Sequence, residues 1–164
     1  MTSTTIKKKL EDVAGRICEV LIPIKHEYYM GKGSRIAICT LSSMYLLQSI
    51  ARTDDIMNRI LIVGRLLSEN KGIDSLVRYV VSNENLSIII LCGKDTMGHK
   101  PGHSLLCLHK NGIDENHKII GSSSPHPFLM VTKTQVSKFQ RQVKIINKIG
   151  EANISNIKNI VESQ

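Results

Sequence analysis

Residues 86–102 read LSIIILCGKDTMGHKPG, and this stretch decides the fold. It opens with an apolar run, Leu86 to Cys92, which is rich in β-branched isoleucine and has no polar alternation. Such a run is typical of a strand in a parallel sheet that is covered on both faces. A glycine-rich loop, Gly93 to Gly102, follows at once, with Pro101 near the start of the next helix. The stretch therefore predicts a buried strand, a tight loop and a helix.

Two earlier apolar runs have the same character, Arg35 to Leu41 and Arg59 to Gly64. A helical segment, Ser43 to Arg52, separates these two runs. A second one precedes Leu86, with apolar residues at the i, i+3, i+4, i+7 spacing of an amphipathic helix: Ile73, Leu76, Val77 and Val80. The order βαβαβ predicts an α/β domain of three layers, with a mainly parallel central sheet and helices on both faces.

The amino-terminal residues predict one more helix of the same domain. Residues 1–22 have helical spacing of apolar side chains between Ile6 and Leu21, and Pro23 ends that segment. A connector from His26 to Ser34 then leads into the first strand. We expect residues 1–164 to form a single domain.

The carboxyl-terminal third predicts shorter elements. Pro101 and Gly112 bracket a short helix, and Lys118 to Gly121 predicts one more short strand. A helix packed on the sheet is predicted by apolar residues spaced 3, 4 and 3 apart: Val136, Phe139, Val143 and Ile146. Lys138, Arg141, Lys144 and Lys148 then form its solvated face. Residues 150–164 predict a last helix or a frayed tail.

Composition excludes several classes of protein. The chain of 164 residues is 41% hydrophobic and 22% charged, which is neither disordered nor fibrous. No apolar stretch approaches the roughly 18 to 20 residues that span a bilayer. Glu11 and Asp12 follow Lys7, Lys8 and Lys9 where a signal peptide needs an apolar segment. We therefore expect a cytoplasmic protein without membrane insertion.

The chain is basic, with 22 Lys and Arg against 14 Asp and Glu and a net charge of +8. A nucleic acid is one partner that such a charge permits. However, the basic residues are scattered, aromatic residues make up 4% of the chain, and Trp is absent. A platform for stacking bases needs aromatic side chains beside basic ones. We expect a solvated basic surface and no nucleic acid partner.

The four cysteines, Cys18, Cys39, Cys92 and Cys107, form no C-x-x-C pair. Cys39 and Cys92 lie inside apolar runs. This pattern favours buried reduced thiols over zinc ligands.

The loop from Gly93 to Gly102 has the glycine spacing of a phosphate-binding P-loop, G-x-x-x-x-G, between a strand and a helix. His99 and Lys100 stand where that motif needs Lys and then Ser or Thr, so the hydroxyl that binds magnesium is missing. The spacing of His99 and His103 matches the two histidines of a zinc helix, but Pro101 and Gly102 lie between them. A nucleotide triphosphatase and a zinc hydrolase are both disfavoured.

His99 stands out because Gly98 and Gly102 flank it closely. Missing side chains at those positions let a large flat group approach the backbone. An imidazole on a tight loop can offer one nitrogen to a metal that such a group carries. A metal in a macrocycle is therefore one possibility among several.

Three short series in this region resemble the A subunit of tetrahydromethanopterin S-methyltransferase. They are Cys92-Gly93, Gly98-His99-Lys100-Pro101-Gly102 and Asn111-Gly112-Ile113-Asp114. Upstream, Ile38-Cys39-Thr40-Leu41-Ser42 and Ser68-Glu69-Asn70 are also similar to that family. The resemblance covers a core of residues 29–149.

The resemblance implies a corrinoid carrier with a Rossmann-like fold. Members of that family bind a cobamide, and the histidine proposed as the axial ligand to cobalt falls on His99. The implied activity is methyl transfer from methyl-tetrahydromethanopterin to coenzyme M through cobalt, with methyl-donor and methyl-acceptor proteins as partners. A non-catalytic protein for corrinoid storage or delivery is the alternative.

Two departures from related proteins shape what we expect. The family's membrane-complex member has a carboxyl-terminal membrane anchor, whereas this chain ends at Gln164, so we expect a free-standing homologue. In flavodoxin-like corrinoid modules an aspartate two residues before the histidine holds the second ring nitrogen, and Met97 takes that place here. The partner of His99 must then come from backbone, solvent or another loop.

Further cofactor contacts are predicted from position, because ligands of open α/β sheets bind beyond the carboxyl ends of the strands. The predicted contacts are Thr40, Leu41, Ser42, Ser43, Ser68, Glu69, Asn70, Gly72, Gly93, Met97, Gly98, Gly102, Gly121, Ser122, Ser123 and Pro127. Glycines in such loops also form turns, and Ser and Asn also cap helices. Glu69 has the same two interpretations, a cofactor contact or a capping carboxylate.

Overall fold

A computed structural model describes residues 28–164, and it shows an α/β fold with one five-stranded sheet. The sheet order is β1-β3-β2-β4-β5, in which β1 is antiparallel to β3 and the other pairs are parallel. The strands are β1 (Tyr28–Met30), β2 (Ile36–Cys39), β3 (Ile62–Gly64), β4 (Ile88–Gly93) and β5 (Lys144–Ile149). The predicted mainly parallel sheet is confirmed.

Six helices lie in the described part of the chain. They are α1 (Met44–Ala51), α2 (Asp54–Met57), α3 (Lys71–Ser82), α4 (Pro101–Asn111), α5 (Lys133–Gln142) and α6 (Ile154–Glu162). Within residues 28–164, none of these helices is long and apolar enough to cross a membrane.

The two faces of the sheet pack against different helices. Successive strand residues point to opposite faces, and in β4 Ile89 and Leu91 join one apolar cluster while Ile88 and Ile90 join another. The first cluster contains side chains of α3, α4 and α5. The second contains side chains of α1, α2 and α6. The uninterrupted apolar sequence of β4 thus reflects burial on both faces.

The sheet order reverses direction between β2 and β4. The chain passes from β2 to β3 on one side and then returns to β4 on the other side of β2. A crevice for ligands forms at such a switch point, beyond the carboxyl ends of the strands. The loops after β2 and β4 meet there, since Ser42 N–H donates to the Lys94 carbonyl at 3.0 Å.

The prediction of a helix that continues through Ile146 is wrong. Helix α5 ends at Gln142, and residues from Lys144 onward form β5, which pairs with β4 from Ile88 to Gly93. The Gln142 side chain ties the end of α5 to the end of α3, because its amide nitrogen lies 2.8 to 3.0 Å from the carbonyl oxygens of Val80, Asn83 and Leu86. Lys144 and Lys148 therefore lie on an edge strand and not on a helix.

Other boundaries differ from the predictions on a smaller scale. Residues 118–121 form no regular strand, only isolated bridges that join Ile113 to Ile119 and Lys118 to Phe128. Part of the predicted connector is β1, which pairs with β3. The predicted last helix is present as α6, and the Asn153 side chain caps it. The predicted helix over residues 1–22 lies outside the described residues.

The described cysteines are free thiols, as predicted. Burial raises the pKa of the Cys39 thiol to about 12 and raises the pKa of the Cys92 thiol well above its usual range. Cys107 is half-buried, and desolvation raises the pKa of its thiol as well. These thiols therefore stay protonated at neutral pH. Cys18 lies outside the described residues.

Candidate functional site

His99 lies in the loop between β4 and α4, at the carboxyl edge of the sheet. Its side chain is 60% exposed, and its Nδ1 donates a hydrogen bond to Glu69, 3.0 Å from Oε2 and 3.3 Å from Oε1. Nε2 makes no hydrogen bond with residues 28–164. The ring is thus fixed through one nitrogen, and the other nitrogen is available to a ligand in solvent.

Glu69 comes from the turn between β3 and α3, so the partner of His99 belongs to another loop. Its side chain is 1% exposed, and Oε1 also accepts the backbone N–H of His126 at 3.0 Å. Glu69 therefore ties two segments together, the His99 loop and the 121–131 segment. Because a buried carboxylate is stable only with such donors, both contacts help to hold it in place. Neither contact caps a helix, and Asn70 caps α3 instead.

Asp95 closes the His99 loop, although it was not among the predicted site residues. Its carboxylate accepts the backbone N–H groups of Gly102 and His103 in the first turn of α4, at 3.0 and 2.9 Å. A carboxylate at this position stabilises a helix amino terminus. The signal in the sequence was an acidic residue shortly before a helix that begins with Pro101.

The glycines of this loop differ in whether their surroundings leave room for a side chain. Gly93 has φ +74°, and a Cβ there would lie 2.4 Å from the Thr40 carbonyl oxygen. A Cβ at Gly102 would lie 3.0 Å from Leu41 Cδ2 and 3.0 Å from Asp95 Oδ2, so contacts within the protein account for that glycine. Gly98 has no atom within 4 Å of its Cβ position. The space beside His99 is therefore open on the Gly98 side.

The polar residues predicted after β2 bond to the neighbouring loops in this structure. Thr40 is fully buried, and its hydroxyl lies 3.4 Å from the Gly64 carbonyl oxygen. Ser42 Oγ donates to the Lys94 carbonyl at 2.6 Å, and Ser43 Oγ accepts the Lys94 N–H at 2.8 Å. These bonds hold the loops after β2 and β4 together. The polar residues after β2 therefore lie beside the loop that contains His99 and stabilise it.

The remaining predicted residues lie on the two segments that Glu69 joins. Ser68 Oγ accepts the Gly72 N–H at 2.8 Å, inside the turn after β3. On the other segment, Ser122 Oγ lies 2.7 Å from Ser104 Oγ, and Ser123 N–H donates to His103 Nε2 at 3.3 Å. Gly121 has φ +83°, and Pro127 is buried. Residues 121–127 thus pack against α4 beside the His99 loop.

Three exposed apolar side chains lie on the His99 loop and on the segment that Glu69 ties to it. Met97 lies in the same loop and is 85% exposed. Phe128 and Met130 follow the His126 contact and are 49% and 79% exposed. Asp74 of α3 anchors this second segment, because its carboxylate accepts the N–H groups of Met130 and Val131 at 2.9 Å. Exposed apolar side chains on these two segments suit a ligand with a large apolar face.

Residues 28–164 contain no group of three or more His, Cys, Asp or Glu side chains that could hold a metal ion. His99 and His103 are not a pair, since His103 belongs to α4 and its ring contacts Ser123 and Cys107. A metal that enters with its own chelating ring needs only one ligand from the protein, and His99 has the geometry for that role.

Sequence comparisons with known proteins find a matching family model and several relatives. The family model that describes the A subunit of tetrahydromethanopterin S-methyltransferase matches residues 19–164. The A subunit of a putative methyltransferase, Mtx, from Methanosarcina acetivorans is 36% identical over 148 residues, which are 89% of this chain and 71% of that protein. The A subunit of tetrahydromethanopterin S-methyltransferase from Methanosphaera stadtmanae is 37% identical over 103 residues, which are 62% of this chain and 41% of that protein.

Proposed function

The chain belongs to the A-subunit family of tetrahydromethanopterin S-methyltransferase, and from that premise we propose that it binds a cobamide and carries methyl groups. In this proposal a Rossmann-like domain holds the cofactor over the carboxyl edge of the sheet, with His99 as the cobalt ligand. Methyl-tetrahydromethanopterin is the donor, coenzyme M is the acceptor, and separate methyltransferase proteins are the partners. The chain contributes ligation and positioning.

The observation that supports this proposal is the orientation of the His99 imidazole. Glu69 accepts the hydrogen on Nδ1, which leaves Nε2 as the nitrogen lone pair that faces solvent. A metal-binding histidine commonly donates its other N–H to a carboxylate, which fixes the ring and raises its basicity. His99 and Glu69 form a pair of this kind.

The cofactor supplies the nucleophilic and leaving-group chemistry of methyl transfer when it is bound. The residues of this chain present and support the ligand. The Asp95 carboxylate holds the loop against the start of α4, and Glu69 holds the ring through Nδ1. Met97 and Phe128, both exposed, offer apolar surface on the two segments that Glu69 joins.

Electron paramagnetic resonance of the reconstituted protein tests His99 ligation directly. The protein is labelled with ¹⁵N-histidine, loaded with cobalamin and reduced to Co(II). We expect each cobalt line to split into a doublet, because a ¹⁵N nucleus of the protein then lies on cobalt. A triplet from the cofactor's own ¹⁴N base, or no splitting, would count against the proposal.

Methyl transfer separates the carrier from the storage alternative. The reduced, loaded protein is mixed with methyl-tetrahydromethanopterin and the family's partner proteins, and the visible spectrum is recorded. We expect the spectrum of a methylated corrinoid, which coenzyme M then discharges. Cobamide binding without any methylation would support a storage or delivery protein instead.

Replacing Glu69 with glutamine is expected to weaken corrinoid binding about tenfold, the lower end of the effect of removing a residue that orients a metal ligand. The amide oxygen of Glu69→Gln can still accept the His126 N–H, so the change falls mainly on His99. Absorbance titration gives the dissociation constant. Glu84→Gln is the control, because the Glu84 side chain is 84% exposed and forms an ion pair with Lys138 at 3.6 Å. Equal affinities for Glu69→Gln and wild type would show that Glu69 does not position the ligand.

A further inference from the structure

A groove of about 710 Å³ runs along α3, between this helix and the β1 edge of the sheet. Its floor includes Ala37 of β2 and Ile62 of β3, and α3 contributes Leu76 and Tyr79. Tyr28 of β1 closes the outer side. Ligand pockets commonly measure roughly 300 to 1,000 Å³, so the α3 groove has the volume of a binding site.

The α3 groove is polar at one end and apolar at the other. Arg65, Ser68 and Lys71 line it where β3 ends, in the turn that also contains Glu69. Tyr79, near the carboxyl end of α3, lines it farther along. The groove thus begins next to the His99 site and leads away from it.

Arg65 has hydrogen-bonding capacity that the described protein does not use. Its Nε is buried and has no partner in residues 28–164. Nη2 makes one long contact, 3.4 Å from the Ser42 carbonyl oxygen. No carboxylate of the described residues forms an ion pair with Arg65. Arg65 as a whole is half-buried, but a buried N–H such as Nε is costly to leave without an acceptor.

The nearest carboxylates in sequence do not neutralise this end of the groove. Glu69 bonds to His99 and His126, and Asp74 bonds to the backbone of Met130 and Val131. Lys71 is exposed and adds a second positive charge at the start of α3. The open end of the α3 groove therefore favours an anion, and phosphate suits the planar guanidinium well.

We propose that the α3 groove binds the nucleotide arm of the cobamide, with its phosphate at Arg65 and its ribose and heterocyclic base along Leu76 and Tyr79. The inference rests on the proposed function. A cofactor ligated by His99 has its own base displaced from cobalt, so this arm needs another place. The turn that supplies Glu69 to His99 supplies Ser68 to the groove, which puts the two sites next to each other.

A binding cycle with two corrinoids tests the groove. Aquocobalamin has the nucleotide arm and diaquocobinamide lacks it, and both are titrated against wild type and Arg65→Met. We expect Arg65→Met to weaken the binding of cobalamin at least about tenfold, which is the contribution of a charged hydrogen bond. The affinity for cobinamide should stay within about twofold of wild type. The cost of releasing the base from cobalt cancels, because it is the same for both proteins. Arg78→Met is the control, since Arg78 is an exposed residue of α3 that does not line the groove.

A second variant and two small ligands complete the test. Ala37→Leu fills the floor of the groove and should reproduce the cobalamin-specific loss, with folding checked by thermal melting. If Arg65→Met changed the affinities for both corrinoids equally, or changed neither, the inference would be overturned. The nitrogen doublet from His99 would then still support the proposed function. If neither corrinoid binds, the proposed function fails. Calorimetry with isolated α-ribazole phosphate then decides whether the groove binds the nucleotide arm. Tighter binding of adenosine monophosphate than of α-ribazole phosphate would indicate a free nucleotide and overturn the assignment.

Discussion

Replacing His99 with alanine is expected to remove the nitrogen doublet completely from the Co(II) spectrum of ¹⁵N-histidine-labelled protein. The variant should still bind cobamide, but about 10- to 100-fold more weakly, because residues that only orient a metal ligand already contribute on this scale. The fold should not change, since the His99 side chain is 60% exposed and, among residues 28–164, bonds only to Glu69. Electron paramagnetic resonance and an absorbance titration measure the two effects.

His126→Ala is the matched control for this experiment. His126 belongs to the neighbouring segment and is exposed, and it reaches Glu69 only through its backbone N–H, which alanine retains. The doublet and the affinity should both survive in this variant. A doublet that persists in His99→Ala would remove His99 from the mechanism, whatever happens to the affinity.

The largest loss of stability is expected for Phe139→Ala, at about 3 to 5 kcal/mol. Phe139 of α5 is fully buried, and its ring meets the His109 ring edge-on, with centroids 5.8 Å apart. Alanine would leave a cavity between α5, α4 and the sheet that the surrounding side chains fill only in part. Urea denaturation followed by circular dichroism measures the free energy of unfolding.

Phe128→Ala gives the matched comparison, because Phe128 is the other phenylalanine of the chain and is 49% exposed. Its substitution should cost less than about 1 kcal/mol. A loss below about 1 kcal/mol for Phe139→Ala would mean that α5 does not pack on the sheet as described.

The apolar runs predicted three strands correctly, because a strand that is buried on both faces has a continuous apolar sequence. The runs around Ile38, Val63 and Ile90 have almost no polar residues, and they became β2, β3 and β4. The fifth strand was missed for a physical reason. The helical spacing from Val136 to Val143 continues by chance to Ile146, and only pairing with β4 makes Lys144–Ile149 extended.

The site was predictable where its signal is local. The glycines around His99 drew attention to the imidazole, and the structure places that ring, 60% exposed, in the loop at the carboxyl edge of the sheet. The role of Glu69 could not be predicted, because it depends on the sheet order that places the loop after β3 within reach of the loop after β4. Arg65 carries no motif at all, and only the depth of the α3 groove makes it notable.

The long connection from β4 to β5 has a consequence for how the protein is made. His99, Asp95 and the segment held by Glu69 all lie between these two strands in the sequence. The connection is complete only when β5 pairs with β4, beginning with Ile88 and Lys144. A nascent chain on the ribosome therefore completes this part of the sheet only after residues 144–149 have emerged, and such distant pairings form slowly. Under the proposed function, the cofactor is therefore loaded after β5 has been synthesised.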